Sequence, residues 1–87
     1  MTWIPTREDH RNMILDPYRW PHLLLPLKRY VDGFMQTAIM AAGMEKLDPN
    51  KPIEIRNNTT IFGPVGQPEI LTYENVDALL DDGWEVD

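Results

Sequence analysis

Proline and glycine restrict this chain more strongly than any other residue types. Eight prolines and five glycines are spread over 87 residues, and both types interrupt helices and strands. We therefore expect short elements separated by frequent turns. A chain of this length forms one small domain, residues 1–87, and hides only about 60–65% of its unfolded surface. Its hydrophobic content of 43% is too high for a disordered chain, so we expect a folded protein.

Cysteine content and net charge indicate the cellular compartment and the classes of partner to expect for this chain. No cysteine is present, although small secreted domains usually depend on disulfides, so we expect a reducing cytoplasm. No apolar run is long enough for a membrane helix or a signal peptide, which predicts that the chain has no membrane partner. The formal net charge of −6 predicts no direct binding to nucleic acid, because Lys and Arg supply most of that affinity.

Acidic residues are concentrated at the end of the chain. Residues 67–87 hold seven carboxylates and no Lys or Arg. These carboxylates belong to Glu69, Glu74, Asp77, Asp81, Asp82, Glu85 and Asp87. The first third holds five basic residues, Arg7, Arg11, Arg19, Lys28 and Arg29. This division allows ion pairs within one molecule or head-to-tail contacts between copies, although an exposed pair contributes only about 0–1 kcal/mol.

The first element predicted is a short helix over Arg7–Leu15. Thr6 precedes it as an N-cap, because its hydroxyl can accept from a backbone N–H in the first helical turn. Acidic side chains in that turn favour the positive end of the helix. Pro17 ends the helix, and the sequence predicts an extended connector over residues 16–21.

Residues 23–43 allow two interpretations. Apolar residues recur there at helical spacing, which predicts a central helix over residues 27–46 and a mostly helical fold. The Asp32-Gly33 pair instead signals a type I′ turn between two strands. The hairpin would pair Val31 with Phe34, Arg29 with Gln36 and Leu27 with Ala38. We favour the hairpin, since Gly33 inside a helix costs about 1 kcal/mol relative to Ala, and we expect Pro26 to confine the first strand to an edge.

A second hairpin is predicted over Ile53–Phe62. Asn57 and Asn58 both tolerate positive φ, and they separate two runs of strand-forming residues. The glycines and prolines of residues 63–68 predict a loop after this hairpin.

The last element predicted is an amphipathic helix over Tyr73–Asp82. Thr72 serves as its N-cap and Gly83 as the residue just past its end. Trp84 is expected to fold back onto Leu80. The predicted fold class is therefore α+β: an N-terminal helix, a small antiparallel sheet of two β-hairpins, and a C-terminal helix packed on the sheet.

The residues that carry most enzyme chemistry are scarce. Serine and cysteine are both absent, so the commonest nucleophiles are missing. The two histidines, His10 and His22, lack metal-ligand spacing, and we expect His10 to be solvated. Asp77 and Asp81 lie four residues apart on one helix face, where plain solvation is favoured over metal binding. We predict no catalytic residues, no metal, no cofactor and no enzyme activity.

The remaining prediction is that this chain contacts another protein. Rigid aromatic residues are enriched at protein interfaces, and the acidic face of the last helix repels nucleic acid and phospholipid. The predicted partner-contact residues are Trp3, Tyr18, Trp20, Glu74, Asp77, Asp81, Asp82 and Trp84. Core packing competes with this role for Trp3, Tyr18 and Trp20.

Three stretches of the sequence carry a resemblance to a group of phage proteins. They are Asp16-Pro-Tyr-Arg-Trp-Pro21, Leu25-Pro-Leu-Lys-Arg29 and Leu80-Asp-Asp-Gly-Trp-Glu-Val-Asp87. The chain resembles small uncharacterised proteins encoded by tailed phages of actinobacteria. The resemblance implies an accessory protein of the infected cytoplasm that binds and modulates a host protein. It contributes no catalytic residue.

Two further hypotheses arise from the same residues. The first is self-assembly into a homo-oligomer, or into a virion, by edge pairing of strands or by opposing charges. The second is acidic mimicry of DNA, in which the carboxylates of residues 67–87 would occupy a basic groove of a nucleic-acid enzyme.

Overall fold

A computed structural model of the chain describes residues 4–20, 23–41 and 45–87. The first element, α1, is the predicted helix Arg7–Leu15. Its N-terminus is a capping box, in which the Thr6 hydroxyl accepts from the Asp9 backbone N–H at 3.2 Å and the Asp9 carboxylate accepts from the Thr6 N–H at 2.8 Å. The hydrogen bond from the Thr6 backbone N–H lowers the pKa of the Asp9 carboxyl most, and a second hydrogen bond from the Thr6 hydroxyl lowers it further. The predicted start of α1 is confirmed.

The connector after α1 differs from the prediction. Pro17–Arg19 form one turn of 3₁₀ helix rather than an extended segment. The N–H groups of Arg19 and Trp20 donate to the carbonyls of Asp16 and Pro17. Proline accounts for this difference, because it restricts the residue before it but starts a tight helical turn readily.

The first hairpin is present with its predicted register. Strand β1 covers Leu24–Val31 and strand β2 covers Phe34–Ala41. Their antiparallel pairing joins Val31 to Phe34, Arg29 to Gln36 and Leu27 to Ala38. Asp32 and Gly33 have φ values of 52° and 83°, as a type I′ turn requires. The alternative central helix is therefore wrong over residues 27–41 and 45–46.

Pro26 does not keep β1 at the edge of the sheet. The two-residue strand β5, Glu85–Val86, pairs with Lys28 and Leu27 on the other side of β1. The Pro26 carbonyl accepts from the Asp87 N–H at 3.0 Å. A short partner strand of this kind uses the acceptor of Pro26 and needs no donor from it.

The second hairpin turns four residues later than predicted. Strand β3 runs without a break over Ile53–Thr60, and strand β4 covers Gly63–Tyr73. Asn58 does adopt a positive φ of 57°, but as an irregularity between Asn57 and Thr59 inside the β3–β4 pairing. The turn at residues 61–62 is closed by Thr60, whose hydroxyl accepts from the Phe62 N–H and donates to the Gly63 carbonyl.

The loop predicted over residues 63–68 is wrong for the same reason. These residues belong to β4, the outermost strand of a sheet with the order β4-β3-β2-β1-β5. An edge strand tolerates Pro64 and Pro68 because one side of its backbone needs no hydrogen-bonded partner.

The C-terminal helix is shorter than predicted. Helix α2 covers Val76–Asp81 and begins at Asn75, whose side chain accepts from the Ala78 N–H at 2.8 Å. The proposed N-cap Thr72 and the predicted first residue Tyr73 instead pair with β3 in the sheet. The end of the helix is as predicted, with Gly83 at a φ of 92°.

Both helices lie on one face of the sheet. The core between them and the strands consists of Ile14, Trp20, Leu25, Leu27, Ala38, Met40, Ile53, Ile55, Val76, Leu79, Leu80 and Trp84. The alternate strand residues, among them Tyr30, Met35 and Ile70, project from the opposite face. Within the described residues no helix covers that opposite face. The α+β fold with its C-terminal helix packed on the sheet is confirmed.

Candidate interaction surface

The acidic side of α2 faces the basic side of α1. Asp77 Oδ1 lies 3.2 Å from Arg11 Nε and 3.8 Å from an Arg7 guanidinium nitrogen. Asp81 Oδ1 lies 2.8 Å from Arg7. The aspartate side chains remain 52% and 71% exposed, so solvent screens the pairs and each contributes about 0–1 kcal/mol. The carboxylates are solvated, as predicted, but they are engaged with α1.

Two further tail carboxylates are paired with β1. Asp82 binds the Arg29 guanidinium, and Asp87 Oδ1 lies 3.7 Å from Lys28 Nζ. Four of the seven tail carboxylates are thus paired with basic residues from the first third of the chain. Glu74 is exposed, and no ion pair joins it to another described residue. The acidic tail therefore neutralises four basic residues of its own chain, Arg7, Arg11, Lys28 and Arg29.

Trp84 lies in the core and anchors a polar network. It is 1% exposed, and its indole Nε1–H donates to the Tyr73 hydroxyl at 2.8 Å. That hydroxyl donates to Asp82, and Arg29 lies with its Cζ atom 4.5 Å from the centre of the indole ring. Burial is the main cause that raises the pKa of Tyr73, and the hydrogen bond to Asp82 raises it further. The buried Trp84 ring is not available to a partner.

The other predicted aromatic contacts are divided among core, surface and the undescribed part of the chain. Trp20 is 7% exposed, and its indole N–H donates to the Met13 carbonyl at 2.7 Å. It is a core residue, because its ring packs with the apolar side chains between α1 and the sheet. Tyr18 is 63% exposed on the 3₁₀ turn. Trp3 lies outside the described residues.

His10 is buried rather than solvated. It is 9% exposed, and its Nδ1 atom accepts from the Val86 N–H at 3.1 Å. The ring therefore holds the short strand β5 against α1, which requires Nδ1 to be unprotonated. The prediction of a solvated His10 is wrong because the sequence does not show that the chain end returns to α1.

Among the described residues, the largest group of exposed apolar side chains lies where the two hairpins turn. Because β2 runs antiparallel to β3 with Ala38 opposite Asn57, the turns at residues 32–33 and 61–62 lie at the same end of the sheet. We call the following six residues the hairpin-end cluster: Tyr30, Val31, Phe34, Met35, Ile61 and Phe62. They are between 39% and 95% exposed, with Phe62 the highest. Tyr30 and Met35 lie on the uncovered face, whereas Val31 and Phe34 lie on the face that carries the helices. Exposed apolar residues grouped in this way are typical of interaction sites.

A groove adjoins the hairpin-end cluster on the uncovered face. Its volume is about 340 Å³, and Met35, Ile61 and Phe62 line it together with Pro26 and Thr37. A second groove of about 280 Å³ lies further along the same face, beside Ile39 and Ile70. Ile39 is buried without belonging to the core between helices and sheet. Polar side chains also line both grooves, Asp87 the first and Glu54 and Arg56 the second, so the recesses of the uncovered face are of mixed polarity.

Sequence reasoning does not identify the hairpin-end cluster. A turn at Asn57-Asn58 places Ile61 and Phe62 within a strand, away from the first turn. The usable signal is Phe62-Gly63, in which Gly63 adopts a φ of 125°. Glycine supplies such a conformation at a hairpin end without steric cost.

Comparison with known proteins adds no functional assignment. No protein-family model, no curated protein and no solved structure matches the chain. Within residues 4–20, 23–41 and 45–87, no group of three His, Asp or Glu side chains could hold a metal ion. None of the helices described is long and apolar enough to cross a membrane. Surface geometry is therefore the remaining guide to function.

Proposed function

We propose that this chain is a non-enzymatic interaction protein that contacts another protein through its hairpin-end cluster. The observation that carries the proposal is the concentration of six large apolar side chains at one end of the sheet, with three aromatic rings among them. Aromatic residues and Met are enriched at protein interfaces, and rigid aromatic rings bury much area at small entropic cost. The groove beside Met35, Ile61 and Phe62 is a recess that can receive a side chain of the partner.

The structure favours this end of the molecule over the acidic helix as the contact surface. Asp77, Asp81 and Asp82 are paired with arginines of the same chain, so a partner would have to compete with those pairs. The same pairing disfavours DNA mimicry, which needs carboxylates that are free to replace phosphates. A host protein of the infected cytoplasm is the partner implied by the phage resemblance, and it remains a prediction.

Site-specific photocrosslinking tests the contact surface and does not require the partner to be identified first. The photoreactive residue p-benzoylphenylalanine replaces Phe62, which is 95% exposed, and in a matched control it replaces Tyr18, which is 63% exposed. We expect a protein adduct in cells from position 62 and not from position 18. Equal labelling at both positions, or no adduct at position 62, would contradict the proposal.

A further inference from the structure

We propose that protonation of His10 releases the chain end, Glu85–Asp87, from α1 and from the edge of the sheet. The release occurs as the pH falls from about 8 to about 5, the range in which an imidazole ordinarily changes charge. It requires nothing of the hairpin-end cluster and is therefore independent of the proposed function.

The hydrogen bond between His10 and Val86 exists only with a neutral imidazole ring. The Nδ1 atom of His10 accepts from the Val86 backbone N–H at 3.1 Å, and the residue is 9% exposed. A protonated imidazole carries a hydrogen on both nitrogens and accepts at neither. Protonation therefore turns two donors towards each other. Because a poorly solvated donor without an acceptor is unfavourable, the contact between α1 and β5 is lost.

Few other contacts hold the chain end. Strand β5 has only two residues, and it pairs with Leu27 and Lys28 of β1. The residue after it, Asp87, donates its N–H to the Pro26 carbonyl at 3.0 Å. The charged atoms of Asp87 and Lys28 are 3.7 Å apart, and both side chains are partly exposed, so this ion pair contributes little. The bond to His10 is thus a substantial part of what fixes β5.

The released segment ends at Trp84. The Trp84 residue is 1% exposed, and its indole N–H donates to the Tyr73 hydroxyl at 2.8 Å, so it stays in the core. The Val86 side chain, in contrast, is only half-buried against the core. Departure of Glu85–Asp87 leaves the outer edge of β1 without a partner strand. An edge of this kind can accept an extended segment of another chain.

Charged side chains lie on both sides of the His10 ring. Two recesses of about 180 Å³ and about 250 Å³ adjoin it. The charged residues that line these recesses come from α1 and from the chain end: Arg7, Asp9, Glu85 and Asp87. Three charged residues of α2 and the 3₁₀ turn act on Arg7 or Asp9: Asp77, Asp81 and Arg19. Carboxylates and guanidinium groups ordinarily keep their charge between about pH 5 and pH 8, whereas an imidazole does not. The His10 ring is therefore the group through which pH acts on β5 in this range.

Amide hydrogen exchange of the full chain, followed by NMR, tests this release. The observable is the protection factor of the Val86 N–H, which corrects for the pH dependence of exchange itself. We expect it to fall at least about fivefold between about pH 8 and about pH 5. The amide signals of Glu85 and Asp87 should move towards the positions of an unstructured chain. The protected N–H groups of β2 and β3 should keep their protection.

Two substitutions assign the response to one side chain. His10→Asn retains an acceptor oxygen near the position of Nδ1 and cannot be protonated, so the Val86 protection factor should be the same at both pH values. His22→Asn removes the other histidine of the sequence and should leave the wild-type response unchanged.

Four results would overturn the inference. They are equal Val86 protection at both pH values in the wild type, a fall that persists in His10→Asn, a fall that His22→Asn abolishes, or a loss of protection that extends to β2 and β3. The last result would indicate unfolding of the whole chain. Crosslinking from position 62 tests a different surface, so failure of the proposed function and failure of this release are distinguishable.

Discussion

The indole Nε1–H of Trp84 donates a 2.8 Å hydrogen bond to the hydroxyl of Tyr73. This contact joins the end of β4 to the last residue before β5. The hydroxyl passes a hydrogen bond on to Asp82, which also binds Arg29 of β1. One phenolic oxygen therefore connects β4 with Trp84 and, through Asp82, with Arg29 of β1. Because a buried indole N–H needs an acceptor, the connection should contribute to stability.

Substitution of Tyr73 tests this connection. Tyr73→Phe removes the acceptor of the Trp84 N–H while it retains the ring, and it should lower the free energy of unfolding by about 1–3 kcal/mol. Urea denaturation followed by tryptophan fluorescence measures the change. The control is Tyr18→Phe, which removes the hydroxyl of an exposed residue and should change stability by less than about 0.5 kcal/mol. Equal effects of the two substitutions would contradict the network.

Alkaline pH should weaken the same contact. The pKa of Tyr73 is raised in the folded protein, above the value of about 10 that it has in the unfolded chain. The stabilisation is therefore complete below about pH 10 and is lost as the pH rises through the folded-state pKa. Urea midpoints between about pH 8 and pH 11 should show the wild type losing its advantage over Tyr73→Phe. A constant difference across that range would argue against this assignment.

Glycine at the first hairpin turn has a measurable role. Gly33 has a φ of 83°, and a Cβ atom added there would meet nothing within 4 Å. The cost of Gly33→Ala is therefore conformational, and it should be about 1 kcal/mol. Gly66→Ala is the matched control, since its φ is not in the left-handed region and its Cβ would make ordinary contact with Asn58. Thermal unfolding compares the two, and a Gly66→Ala loss as large as that of Gly33→Ala would refute this account.

Charge reversal on α2 should lower the stability of the folded chain, because acidic side chains of α2 pair with α1. Asp77→Lys places a third cation beside Arg7 and Arg11 and should cost about 1 kcal/mol at low salt. Glu74→Lys, outside those pairs, should cost less. The added substitution Arg11→Glu should recover part of the Asp77→Lys loss, which a double-mutant cycle measures. If Asp77→Lys proves neutral at low salt, the contact between the helices contributes nothing.

Local signals in the sequence are sufficient for two parts of the fold. The Thr6 cap places the start of α1, and Asp32-Gly33 places the first turn together with the register of β1 and β2. Both signals act between residues close in the chain, where the chemistry of one or two side chains decides the backbone conformation. The end of α2 at Gly83 belongs to the same class.

Contacts between distant residues decide the rest. Whether β3 ends at Arg56, before the predicted turn, or at Thr60 depends on β4. This strand pairs Tyr73 with Ile53 and so extends the sheet through residues that were predicted to form a loop and a helix. The same long-range pairing places residues 61–62 beside the first turn and creates the hairpin-end cluster.

The sequence by itself determined the α+β class, the first helix and hairpin, and the separation of basic and acidic residues along the chain. Only the tertiary structure decided that those charges meet within one molecule, that Trp20 and Trp84 are core residues, and that apolar side chains collect at the hairpin ends. The physical reason is that burial and ion pairing depend on which surfaces meet in space, and local propensity does not specify that.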